Sequence, residues 1–256
     1  MLLCLVLAGA AAGARGQYAP QPAGRVMRAE AEQLFAMANQ ARSQNGAGPL
    51  KWDGALAEAA RQHCLRMAAE GPISHRYGGE ADLPDRAGQA GAHFSMVEEN
   101  VALGPTPAEI HDGWMHSPGH RSNLLNPEVD RIGIAVVASR GELYAVQDFA
   151  RDVEQLSPSE VETRVAALIR PSGVAIVSDP ALARQVCATD HGVPGARSGA
   201  ELRFVMRWQG ADLSQLPKAL VEKLSSGMFK QAAVGSCPAQ VEEGNFTAYR
   251  VAVLLY

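Results

Sequence analysis

Two stretches of the chain concentrate side chains able to do chemistry. One is Glu99-Asn100-Val101-Ala102; the other, after a break at Pro105 and Pro107, is Trp114-Met115-His116-Ser117-Pro118-Gly119-His120-Arg121-Ser122-Asn123. With Ser74-His75 upstream they offer imidazoles and a carboxylate to one site. Such groups suit metal ligation or general acid and base work. His75, Glu99 and His120 are therefore the candidate catalytic and metal-ligating residues. His116 and His120 are four apart, but Ser117-Pro118 breaks the helix between them, so an i, i+4 metal pair is not expected. His63 falls on the apolar side of a helical pattern, where a hydrogen-bonded core histidine is the ordinary reading. Arg86 is either an ion-pair anchor or a solvated side chain.

These residues need elements to position them. Over 26–43, Met27, Ala31, Leu34, Phe35, Ala38 and Ala41 recur at steps of three and four, which predicts an amphipathic helix. Asp53 can cap a second helix that carries Leu56, Ala59, Ala60, His63, Cys64 and Met67 on one face until Gly71-Pro72. Residues 75–93 lack steady periodicity and read as a long polar loop, with a short helix over 84–89. Thr106-Pro107-Ala108-Glu109 opens a helix with a cap, a first-position proline and a capping-box glutamate, and Ser117-Pro118 repeats the cap-then-proline device. Residues 132–137 and 143–149, joined across Gly141, predict a β-hairpin. Helices bracketing a small antiparallel sheet predict a layered α–β–α domain over residues 26–151.

Residues 152–256 predict a smaller α+β domain: a capped helix from Ser157, a short strand at 174–178, a helix from Asp179, a strand at 202–208, a helix at 216–224 and a final strand at 246–256. Asp53-Gly54-Ala55-Leu56-Ala57 is echoed by Asp179-Pro180-Ala181-Leu182-Ala183, and each is followed by a cysteine. The second half is thus read as a degenerate repeat without counterparts of His75, Glu99 and His120, with chance similarity among alanine-rich capped helices as the alternative.

The chain has 256 residues, 47% apolar and 20% charged, with a formal net charge of −4. That composition excludes a basic nucleic-acid face, and no stretch after the start approaches the roughly 20 apolar residues of a membrane span. Residues 1–16 (MLLCLVLAGAAAGARG) look like a signal peptide and 17–25 like a disordered spacer, so a secreted or periplasmic protein is expected. Of the cysteines beyond that leader, Cys64 reads as a buried small hydrophobe, leaving Cys187 and Cys237 as a candidate bridge.

The same residues carry a resemblance. Asn39-Gln40-Ala41-Arg42, Pro49-Leu50, the helix with His63, Ser74-His75, Glu99-Asn100-Val101-Ala102, the run from Trp114 to Asn123, Ile132-Gly133 and Tyr144-Ala145-Val146-Gln147-Asp148-Phe149 follow one another as in the CAP superfamily. This superfamily, also called the SCP domain, groups cysteine-rich secretory, antigen-five and pathogenesis-related proteins; the chain is most similar to its bacterial branch. The resemblance implies an α+β fold, a three-layer α-β-α sandwich. It also implies a cleft where two histidines and two glutamates converge and can take Zn²⁺ or another divalent metal. His75, Glu99 and His120 match three of those positions. The fourth, a glutamate three residues after the tryptophan, is Ser117 here, and Glu98 is a candidate substitute. The resemblance and the reduced acid set imply a non-enzymatic binding module whose cleft holds a small molecule, a lipid, a cell-envelope fragment or a metal. The alternative is a metal- or His-assisted hydrolase of envelope peptides or esters, with Glu99 as base and Ser117 as a distant nucleophile.

Overall fold

The computed structural model describes residues 24–194, 202–239 and 246–256. The segment read as a signal peptide and most of the spacer lie outside them. The chain is of mixed α and β structure and builds two sheets, one in each half.

The first half runs β1 (Arg25–Val26), α1 (Arg28–Gln44), β2 (Lys51–Trp52), α2 (Gly54–Glu70), α3 (Leu83–Gln89), β3 (Phe94–Gly104), α4 (Pro107–His116), α5 (Pro118–Leu125), β4 (Arg131–Ser139) and β5 (Glu142–Asp152). Its sheet has the order β1-β4-β5-β3, with β2 parallel to β4 at the same edge as β1. The hairpin of β4 and β5 turns at Arg140 and Gly141, both left-handed at φ 55° and 84°. Positive φ at both central residues is what a two-residue hairpin turn compatible with strand twist requires.

Alternation along β4 divides the core. Ile132, Ile134 and Val136 pack with Ala31, Leu34 and Ala38 of α1 and with Ile110 and Trp114 of α4. Ala135 and Val137 pack with Ala60, Cys64 and Met67 of α2. A side-chain period of two sends neighbours to opposite faces, so one strand serves both clusters. Where α2 crosses the sheet, a Cβ at Gly133 would sit 2.0 Å from the Ala57 nitrogen, so only glycine permits the approach.

The second half runs α6 (Pro158–Ile169), β6 (Ala175–Ile176), α7 (Ala181–Cys187), β7 (Phe204–Gly210), α8 (Lys218–Ser225), β8 (Gln231–Cys237) and β9 (Tyr249–Leu255). Its sheet has the order β6-β8-β9-β7, with a parallel first pair and antiparallel others. The relations β2 to β4, β4 to β5 and β5 to β3 recur as β6 to β8, β8 to β9 and β9 to β7. Gly235 repeats the close helix approach, its Cβ position lying 2.2 Å from the Ala183 carbonyl carbon. The disulfide expected between Cys187 and Cys237 is present, while Cys64 is a buried free thiol. No described helix is long and apolar enough to cross a membrane.

Candidate functional site

Glu99 lies in β3, an edge strand. Its carbonyl accepts from Asn123 Nδ2 at 3.1 Å, and the Val101 carbonyl accepts from the Trp114 indole at 3.2 Å. The run from Trp114 to Asn123 therefore satisfies the exposed edge of the strand that carries the acid. Asn100 points to the opposite face, where it donates to the His120 carbonyl at 3.0 Å and fixes α5 against β3. Trp114, Asn100 and Asn123 thus hold the strand and α5 together through hydrogen bonds.

On the α2 face, Glu99 is 7% exposed and serves several partners. His75 Nδ1 is 2.8 Å from its Oε1, the Arg86 guanidinium donates to its Oε2, and His63 Nε2 lies 3.9 Å from Oε2. Arg86, in the short helix opened by the Asp82 cap, also donates to the His75 carbonyl at 3.2 Å. It is the anchor, and not a solvated side chain. His63 is fully buried, with Nδ1 2.7 Å from Glu80 Oε1 and Nε2 2.8 Å from the Ser74 carbonyl. It holds the loop that presents His75.

Asp148 stands across the β3–β5 register from Glu99 and is fully buried, and no described donor reaches either of its oxygens. Burial, then the charge of Glu99, pushes the Asp148 carboxyl well above the ordinary aspartate value. The hydrogen bond to Glu99 raises the His75 pKa, against a smaller opposing effect of burial. Burial lowers that of His120, and the neighbouring charge of His75 adds to this. Burial tends to raise Glu80, but hydrogen bonds from His63 and the Tyr77 amide leave it below its usual value.

The side chain of His75 is 61% exposed while that of the Glu99 behind it is 3% exposed. Glu99 has both oxygens engaged, one of them by a guanidinium, and among the described residues no three His, Cys, Asp or Glu side chains group as metal ligands. Of the sequence-predicted ligands, His75 and His120 keep ring nitrogens without a carboxylate or guanidinium partner among the described residues, the charge of His75 reaches His120, and Glu99 stands behind His75. That placement matches the carboxylate that commonly orients a ligating histidine. Glu98 points to the other side of the strand and accepts from Asn126 Nδ2 at 2.9 Å, so it does not replace the missing acid. Ser117 links α4 to α5 without a side-chain capping bond, and His116 ends α4 beside Asp112.

Glu80 and Asp148 escaped the sequence reading. Glu80 lies in a segment without periodicity; Asp148 stands in a predicted strand and in the run shared with the CAP superfamily, where an acid at an inward strand position was the available signal.

Residues 35–149 match the CAP family of cysteine-rich secretory proteins. That stretch is similar to a CAP domain. Among curated CAP-like relatives, YkwD of Bacillus subtilis, itself uncharacterised, is 32% identical over 120 residues, 45% of each chain. The membrane protein YlbC of the same organism is 31% identical over 124 residues, 47% of this chain and 34% of YlbC. The chain thus spans less than half the length of these relatives. A solved extracellular protein with an SCP domain from Bacillus anthracis is 28% identical over 49% of this chain and 41% of that one, with a TM-score of 0.45. The CAP match contains Glu99, Arg86, His63, His75, His120 and Asp148.

Proposed function

We propose that this CAP domain is a non-enzymatic binding module of the cell envelope whose cleft receives a small polar ligand at His75 and His120. The observation that carries the reading is the pairing of an exposed imidazole with a buried carboxylate that Arg86 already neutralises. Such a unit presents a fixed, positively biased donor to solvent. Held between His75 and Arg86, Glu99 is not placed as a free base, and among the described residues no hydroxyl or thiol hydrogen-bonds to either cleft imidazole. A divalent metal such as Zn²⁺ is the second candidate occupant; it would be held by His75 and His120 with Glu99 orienting the first, and would supply Lewis acidity.

The experiment is a titration of the chain with soluble envelope fragments, with lipid vesicles and with Zn²⁺, following the His75 and His120 ring signals by NMR. Saturable shifts without turnover, weakened at least tenfold in His75→Ala, are expected. Time-dependent cleavage of a peptide or ester that disappears in Glu99→Gln would replace the binding reading with the hydrolase.

Export follows in the same proposal: the Cys187–Cys237 disulfide supports an oxidising compartment. The second half is proposed to be a degenerate CAP-like repeat kept as scaffold. The recurring strand relations and the paired contacts at Gly133 and Gly235 support this, and Arg207 stands at the register position of Glu99.

A further inference from the structure

The opposite edge of the first sheet is open over a short gap. β4 is covered in two pieces: β2 pairs with Arg131 and Ile132, and β1 with Val137 and Ala138. The Ile132 carbonyl accepts from Asp53 N–H at 2.9 Å and the Val136 carbonyl from Met27 N–H at 2.8 Å. Backbone groups alternate along a strand, so the N–H and C=O of Ile134 face the same edge, between these two bonds. Among the described residues neither has a partner on that side. Backbone polar groups beside apolar walls are ordinarily satisfied, so a pair without a protein partner is free to bond a molecule that enters the groove.

That edge opens into a groove of about 560 Å³, within the size range of small-molecule sites. Ile134, Ala135 and Val136 all line it, although their side chains belong to cores on opposite faces; what the three share is the strand edge. Phe35 and Trp52 form an aromatic wall with centroids 5.5 Å apart, and Trp52 is 42% exposed. The rim charges cancel within themselves: Arg28 lies 3.5 Å from Glu32 and Arg61 lies 2.7 Å from Glu58. No charge is left to recognise an ion. Asp53 and Met27 occupy the line of the edge on either side of Ile134, so a strand cannot run through and only an end group can enter.

We infer that this groove binds a small neutral apolar ligand end-on, through one terminal carboxamide that donates to the Ile134 carbonyl and accepts from the Ile134 N–H, with its apolar body against Trp52 and Phe35. The site lies at the sheet edge away from β3 and does not depend on the His75 reading.

The test uses octanamide titrated into the full chain, read by the Ile134 amide and Trp52 indole signals in ¹⁵N-¹H NMR spectra. Saturable shifts of both are expected. Gly54 lines the groove and a Cβ there meets nothing within 4 Å, so Gly54→Leu should fill the space, keep the thermal midpoint and lose at least tenfold in affinity. Trp52→Ala should lose a comparable factor. N,N-dimethyloctanamide, which has no N–H, and octanoate, which is charged, should each bind at least tenfold more weakly. Equal binding of either analogue, an unmoved Ile134 signal, or unchanged affinity in Gly54→Leu would overturn the proposal. An Ile134 signal unmoved by octanamide but shifted by dilution would do so in favour of a second copy of the chain.

Discussion

His75 Nδ1 and Glu99 Oε1 lie 2.8 Å apart, one side chain largely in solvent and the other almost wholly out of it. The bond fixes the ring and biases it toward the charged form. In the folded chain the His75 pKa is raised, so its contribution to stability is full below the unfolded value and is lost as pH rises through the folded one. An NMR titration should find His75 titrating above the ordinary histidine value of about 6.5. Glu99→Gln should bring it back toward that value. His120 should titrate below it, and His75→Ala should move His120 upward by removing the neighbouring charge.

Arg86 and Glu99 are both buried, at 7% exposure each. Removing one member of such a pair strands the other charge, at a cost of about 3–5 kcal/mol. Arg86→Met should therefore lower the urea unfolding free energy by that order and loosen the loop that presents His75, whose carbonyl also accepts from Arg86. An unchanged urea midpoint would show that the pair carries no net weight.

Asp148 makes a prediction of opposite sign. Its folded pKa is raised, so the native state holds a proton that the unfolded chain gives up near pH 4. Stability should fall as pH rises from there toward the folded value. Asp148→Asn is close in shape, cannot ionise and can donate permanently to Glu99. It should stabilise the chain at pH 7 by on the order of 1 kcal/mol and flatten the pH dependence of the urea midpoint.

The pattern of residues revealed the helices and the hairpin because their signals are local: the Asp53 cap donates order to α2, and the Thr106 hydroxyl accepts from Glu109 N–H as the motif required. β3 was hidden because Phe94 to Gly104 mixes acids, an amide and small residues, the price of an edge strand that carries the site. β8, Gln231–Cys237, was hidden because its alanines and glycine lack β propensity; burial between α7 and β9 imposes the strand. Arg86 and Glu80 were legible as residue types and not as partners. Their meeting with Glu99 and His63 depends on tertiary folding of residues 71–93, which no periodicity encodes.

Gly133 and Gly235 supply the sharpest test that both halves are built alike. In each, an inner strand of the sheet admits a helix so closely that an added Cβ would meet backbone at 2.0 Å and 2.2 Å. Backbone cannot swing aside as a flexible side chain can, so the helix or the strand must shift. Gly133→Ala and Gly235→Ala should each cost at least about 1–3 kcal/mol, the usual range for overpacking. Gly113, exposed within α4 and with nothing within 4 Å of its Cβ position, provides the contrast. Gly113→Ala should gain up to about 1 kcal/mol from helix propensity alone. Urea unfolding of the three variants, followed in Trp52→Phe backgrounds that keep only Trp114 or only Trp208 as the fluorophore, measures all of this. Gly133→Ala should move the Trp114 transition first and Gly235→Ala the Trp208 transition first. A neutral Gly235→Ala would mean that α7 does not need the close approach on which the repeat reading rests.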